Sequence, residues 1–115
     1  DLFCYARSMP RLYMTPRRNP NPWEPYDPRW LVKLARKQLP DDWQLHDALA
    51  ACTRAQANSC CGPKICGYRF VDSLQSNQPE SPGQYVGSVA LQRESESDVI
   101  VDLLRDGRVG AIEFF

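Results

Sequence analysis

The chain has 115 residues, which makes one domain the expectation; with 43% hydrophobic and 24% charged residues it is neither a disordered segment nor a fibrous one. Its unbroken apolar runs are far too short for a bilayer-spanning helix. The formal net charge is zero, but residues 1–70 hold 11 Lys/Arg against 6 Asp/Glu and residues 71–115 hold 3 against 8. The first part is therefore basic and the last part acidic. An acidic surface points to a basic partner through electrostatic steering, unless the two parts fold together and neutralise each other.

Leu2 to Tyr5 reads as a short strand or a terminus docked on the core. From Pro10 to Pro28 the chain is proline-rich, and each proline removes a donor and biases its predecessor to extended geometry. Residues 1–28 are thus expected to form an extended arm with apolar groups to bury, among them Trp23 and Tyr26. Its Arg11, Arg17 and Arg18, with Lys33 and Lys37 beyond, are candidates for nucleic-acid contact, because arginines interleaved with aromatics serve that purpose. The other reading is an arm wrapped over its own domain with its guanidinium groups in water.

Residues 28–58 are read as two helices. Asp27-Pro28 offers an N-cap and a first-turn proline, and the first helix should stop at Pro40. Asp41 with Gln44 makes a capping-box pattern for a second helix, expected from Asp42 to about Asn58. Leu45, Ala48, Leu49, Cys52 and Ala55 form its apolar stripe. A loop follows over residues 59–67. Strands are then expected at Tyr68–Leu74 and Tyr85–Gln92, separated by a polar turn-forming loop.

The end of the chain, D-V-I-V-D-L-L-R-D-G-R-V-G-A-I-E-F-F, predicts a hairpin. Asp106-Gly107 between apolar runs predicts a two-residue type I′ turn, with Leu104 facing Val109, Val101 facing Ile112 and Val99 facing Phe114. Val99, Val101, Leu103, Gly110, Ile112 and Phe114 would share one apolar face. Asp102 and Glu113 would be diagonal neighbours on the other, solvated one. The fold class is therefore α+β: two helices on one face of a roughly four-stranded antiparallel meander over 68–115, preceded by the proline-rich arm.

The five cysteines are an odd count, and no secretory pattern is visible. Both point to a reducing compartment, a cytoplasmic location and free thiols, with a disulfide among Cys52, Cys60, Cys61 and Cys66 as the alternative if the protein meets oxidant. The C-C-x4-C spacing lacks the paired knuckles that zinc favours, so no metal and no cofactor are expected. His46 falls on a different face of its helix from Cys52, so a Cys–His pair is not expected either. No catalytic signature marks the chain as an enzyme. The acids Glu94, Glu96, Asp98, Asp102 and Glu113 are the candidate partner-binding residues.

The terminal pattern G-S-V-A-L-Q-R and the hairpin after it resemble the end of small bacterial proteins, and D-L-F-C-Y is similar to the start of an immunity protein from a contact-dependent growth-inhibition system. The resemblance covers about a quarter of the chain at its end and Asp1–Tyr5 at its start. It implies a cytoplasmic antitoxin that binds and blocks a toxin C-terminal domain, commonly a nuclease that is basic around its active site. Neither membrane nor direct nucleic-acid binding belongs to that reading. The alternative function is a nucleic-acid-binding or regulatory module that uses the basic first half.

Overall fold

The computed structural model describes residues 23–59, 64–72 and 80–115. These form one six-stranded antiparallel sheet in the order β1-β2-β3-β6-β5-β4, with two helices packed on one of its faces. The strands are β1 (Glu24–Pro25), β2 (Arg54–Ser59), β3 (Ile65–Arg69), β4 (Tyr85–Leu91), β5 (Val99–Leu104) and β6 (Val109–Phe114). The helices are α1 (Arg29–Gln38) and α2 (Trp43–Ala50). The α+β class holds, but the sheet has two strands more than the meander read from the sequence. Most of the proposed arm lies outside the described residues. Its described end, Glu24–Pro25, is an edge strand, a position where a proline removes no needed donor.

The first helix begins one residue later than expected, with Pro28 rather than Asp27 as its N-cap, and stops where expected. The Asp27 carboxylate accepts from the Arg29 backbone N–H at 3.1 Å, and the helix closes at Leu39 before Pro40. The second helix is shorter than its apolar stripe implied. The Asp42 carboxylate, not that of Asp41, accepts from the Leu45 N–H at 3.1 Å, and the helix ends at Ala50 instead of near Asn58. After a tight turn, in which the Thr53 N–H donates to the Ala51 carbonyl at 2.9 Å, the chain becomes strand β2. Arg54, Ala55, Gln56 and Ala57 are better helix than strand formers. Pairing with β1 on one side and β3 on the other overrides that preference, and Ala55 is buried by it.

The core lies between the helices and the sheet. Leu31 and Ala35 of α1, and Leu45, Leu49 and Cys52 in and just after α2, pack with Leu91, Val99, Val101, Val109 and Ile112. The α2 stripe thus meets the apolar side of the last two strands. A bracket ties α1 to the end of β4: the Gln38 amide donates to the Gln92 carbonyl at 2.7 Å and accepts from its N–H at 2.9 Å, as a neighbouring strand would. Gly67 of β3 has a steric reason: a Cβ there would collide with the Ile112 carbonyl oxygen of β6.

The hairpin turn differs from expectation. The loop is three residues, Arg105–Gly107, closed by Gly107 N–H to the Leu104 carbonyl and Leu104 N–H to the Arg108 carbonyl, both 2.9 Å. Gly107 is at φ 93°, the position where a loop of this kind favours glycine. The longer loop moves the register by one, placing Leu103 opposite Val109; a bulge at Gly110 moves it back. Val101 therefore faces Ile112 and Val99 faces Phe114 as expected. Leu104, however, does not face Val109: Val109 joins the core beside Leu103, and Leu104 is buried on the opposite face. A second bulge, at Val86 of β4, lies against Leu103 and Leu104 of β5.

Candidate functional site

Among the described residues no helix covers the other face of the sheet. Strand alternation fixes what it shows: Gln56 and Asn58 from β2, Arg69 from β3, Ala111 and Glu113 from β6, Asp102 from β5 and Ser88 from β4. All of these but Gln56, together with Tyr85 and Cys66, line a groove of about 650 Å³, with Phe115 exposed on its rim.

Asp102 and Glu113 meet in this groove. Asp102 stands across from Ala111, two rungs from the Ile100–Glu113 pair and on the same face, so the two carboxyls are diagonal neighbours on adjacent strands. They are hydrogen-bonded to each other, which requires a proton between them. Burial first, then the hydrogen bond and like charge of Glu113, push the Asp102 carboxyl from 3.8 up to about 7. Asp102 is half-buried in a cleft, not on the open, solvated surface the sequence predicted.

Other acids have arginine partners: Asp27 with Arg29, Glu80 with Arg105, Glu96 with Arg93 and Asp106 with Arg108. Among the described residues, no lysine or arginine is ion-paired with Asp102 or Glu113. Arg69, on the same face, donates instead to the Gln56 side-chain carbonyl at 3.2 Å. The pair can thus hold a proton near neutrality, exchange it, or give it up to an incoming cation.

The five candidate acids do not form one cluster. Asp98 lies two positions before Ile100 on the open-face side of β5, and its carbonyl accepts from the Phe115 N–H at 2.9 Å. Glu94 and Glu96 belong to the turn between β4 and β5. That turn is bound to the helix side: the Arg93 guanidinium is 5.6 Å from the Trp30 ring and 5.2 Å from the Phe114 ring, donates to the Ser97 carbonyl at 2.8 Å and pairs with Glu96 at 3.1 Å. Glu96 is therefore a structural partner of Arg93, not a neighbour of Asp102. Arg69, Tyr85 and Ser88 were the groove residues missed. The alternation of Arg69 with Tyr68 and Phe70 carried the signal; assigning it required knowing that β3 pairs with β6.

The cysteine and histidine candidates separate. Cys52 is buried, its thiol donates to the Ala48 carbonyl at 3.4 Å, and burial pushes it up to about 12, which makes it a poor nucleophile. His46 is also buried; its Nε2–H donates to the Leu39 carbonyl at 2.8 Å and ties α2 to the end of α1. Cys66 is disulfide-bonded, so the expectation of free thiols throughout fails; its place in a strand beginning at Ile65, inside the expected loop, is what a sequence reading could not give. Cys60 and Cys61 lie outside the described residues, as do Arg11, Arg17 and Arg18. Among the described residues no group of three metal-ligating side chains assembles, and no helix is long and apolar enough to cross a membrane. Lys33, Arg36 and Lys37 stand exposed along α1 and form no ion pair among the described residues.

A second groove, of about 660 Å³, opens on the helix side between α2 and the hairpin. It is lined by Trp43, Leu103 and Arg108, and by Val86, which also lines the first groove. Trp43 and Val86 are among the most exposed large apolar side chains, at 64% and 59%. No known protein family, curated protein or solved structure matches the chain.

Proposed function

We propose that the chain works by binding, as a non-enzymatic inhibitor whose open sheet face takes up a basic surface of a partner protein and covers it. The resemblance to immunity proteins supplies the partner: a toxin C-terminal domain, a nuclease basic around its active site, blocked from its RNA or DNA. The observation that supports this reading is the Asp102–Glu113 carboxyl pair, set in a groove and without a cation of its own among the described residues. A guanidinium or ammonium group would replace the shared proton and allow both carboxyls to ionise. Rim charges would speed association, and the desolvated pair would set the lifetime of the complex. No cofactor takes part.

The test is binding of the cognate toxin domain by wild type and by the double variant Asp102→Lys with Glu113→Lys. Loss of binding and of protection with the fold intact is expected, along with a steep fall of the wild-type on-rate with salt. Wild-type binding by the double variant would remove the proposed site. The nucleic-acid alternative is favoured by the exposed Lys33, Arg36 and Lys37. It predicts that reversing those three weakens binding of a generic oligonucleotide and leaves toxin binding alone. The toxin reading places the encounter in the cytoplasm, whereas the Cys66 disulfide fits an oxidising compartment. Counting free thiols in protein from its native source decides between them.

A further inference from the structure

The groove does not end at the carboxyl pair. It runs outward to β4, the last strand of the sheet, beyond which no strand follows among the described residues. An end strand is ordinarily protected by charges, prolines or a cover. Tyr85–Leu91 contains no charge and no proline, and its residues 85–88 and Ala90 are exposed. Its one irregularity, the Val86 bulge, is confined to its beginning.

The two sides of this edge differ in chemistry. Towards the open face, Ser88 stands across from Asp102, and Ala90 is the next residue on that side. These side chains are small, so a long side chain placed outside β4 can lie over them. Adjacent strands are about 4.8 Å apart, so a further strand would run about 10 Å from β5, within reach of an extended arginine or lysine aimed at Asp102. Towards the helix side lies the second groove, where the exposed Trp43 stands with Leu103 and Val86. A strand sends successive side chains to opposite faces. A segment added to β4 would therefore put every second residue over the acidic groove and the others towards Trp43, Val86 and Leu103 in the second one.

We infer that β4 is a docking edge that takes an extended segment of alternating basic and apolar residues from the partner, as a seventh strand whose basic side chains reach Asp102, the nearer acid of the carboxyl pair, and whose apolar side chains rest against Trp43. This rests on the reading of the open face as a site for a basic partner and specifies the form in which that partner arrives. Backbone pairing would supply the strength of the contact and the two grooves its selectivity.

The probes are three acetylated, amidated heptapeptides: one alternating valine and arginine, one of the same composition with its arginines together, and one alternating but N-methylated at every residue, which has no backbone N–H left to pair from either edge. The alternating peptide should bind at least tenfold more tightly than the other two. Residues 85–91 should show slowed amide exchange only with it, and Ser88→Lys, which places a rival cation beside Asp102, should weaken it at least tenfold. Equal binding of the N-methylated peptide, weakened by Asp102→Asn, would overturn the docking edge and leave the basic-partner reading standing. Preferential binding of the alternating peptide with no response to Asp102→Asn would keep the edge and overturn the acidic reading. No binding by any of the three, at concentrations up to millimolar, would overturn both.

Discussion

The two faces of β5 and β6 are built from the same dozen residues of hairpin and have opposite characters. On the helix side Val99, Val101 and Ile112 are completely buried, and each is held by neighbours from both helices and sheet. On the other side, one residue along each strand, Asp102 and Glu113 face a groove, where burial and the neighbouring Glu113 push the Asp102 carboxyl up. The period-two alternation of a strand lets one stretch carry both a core and a site, and the two respond to different forces. The buried face is governed by packing and is insensitive to pH and salt; the open face is governed by charge and solvation.

Substitutions can be chosen to break this contrast, beginning on the buried face. Ile112→Ala leaves a cavity beneath both helices and should cost about 2–5 kcal/mol in chemical denaturation, with the carboxyl pair unaltered. Gly67→Ala acts between the faces, because its Cβ would meet the Ile112 carbonyl oxygen in the backbone of β6. A destabilisation of about 1–3 kcal/mol is expected, together with faster amide exchange in β3 and β6. Gly107→Val puts a β-branched residue at φ 93° and should cost about 1–2 kcal/mol, read as a lower melting temperature.

The open face should show itself through pH. Asp102 titrates at its ordinary 3.8 when unfolded and at about 7 when folded. Between these values the folded chain holds a proton that the unfolded chain has lost. The contribution of Asp102 to stability is therefore full below 3.8, falls as pH rises towards about 7, and is lost above it, opposite in sign to the contributions of Asp27 and Asp106, whose carboxyls are held low by their arginines. The groove is open to water, so the change is smaller than the full linkage would give. Asp102→Asn should flatten this part of the profile while leaving the effect of Ile112→Ala unchanged. A profile of the same slope in the variant would show that the pair does not carry the titration.

How much of this was legible depended on whether the cause was local. The Pro40 stop and the alternation of β4, β5 and β6 are written within a few residues, and both appear in the fold; the cap of the second helix was read one residue early, at Asp41. Strand β2 was read as the tail of a helix because Arg54-Ala55-Gln56-Ala57 has helical composition; only pairing with residues 24–25 and 65–69 makes it a strand. Missing β2 also misplaced the centre of the sheet. Glu113 reads from sequence as an acid on a terminal strand, whereas β6 has β3 on its other side. That neighbour turns a solvated surface into a groove, and Arg69 arrives with it. The ion pair of Glu96 was hidden for a similar reason: nothing near it in sequence shows that Arg93 is held over Trp30 and Phe114.

The bulge at Gly110 has a consequence for how the chain can change length. It is the extra residue between two rungs, Leu103–Val109 and Asp102–Ala111, that are otherwise continuous. Losing it would join those rungs into a regular ladder, with Val109 still turned to the helices, Ala111 to the groove, and Val101 still opposite Ile112. Losing Ala111 would give the same ladder with Gly110 in its place, whereas losing one residue from Val99 to Asp102 of β5, which holds no extra residue, would turn the remainder of that strand over, exposing apolar side chains and burying an acid. The hairpin therefore tolerates a deletion at the bulge of β6 and not in the strand across from it. Homologues that differ in length within β6 should carry their gap at the bulge, so that such gaps in an alignment would reveal the two-faced hairpin without a structure.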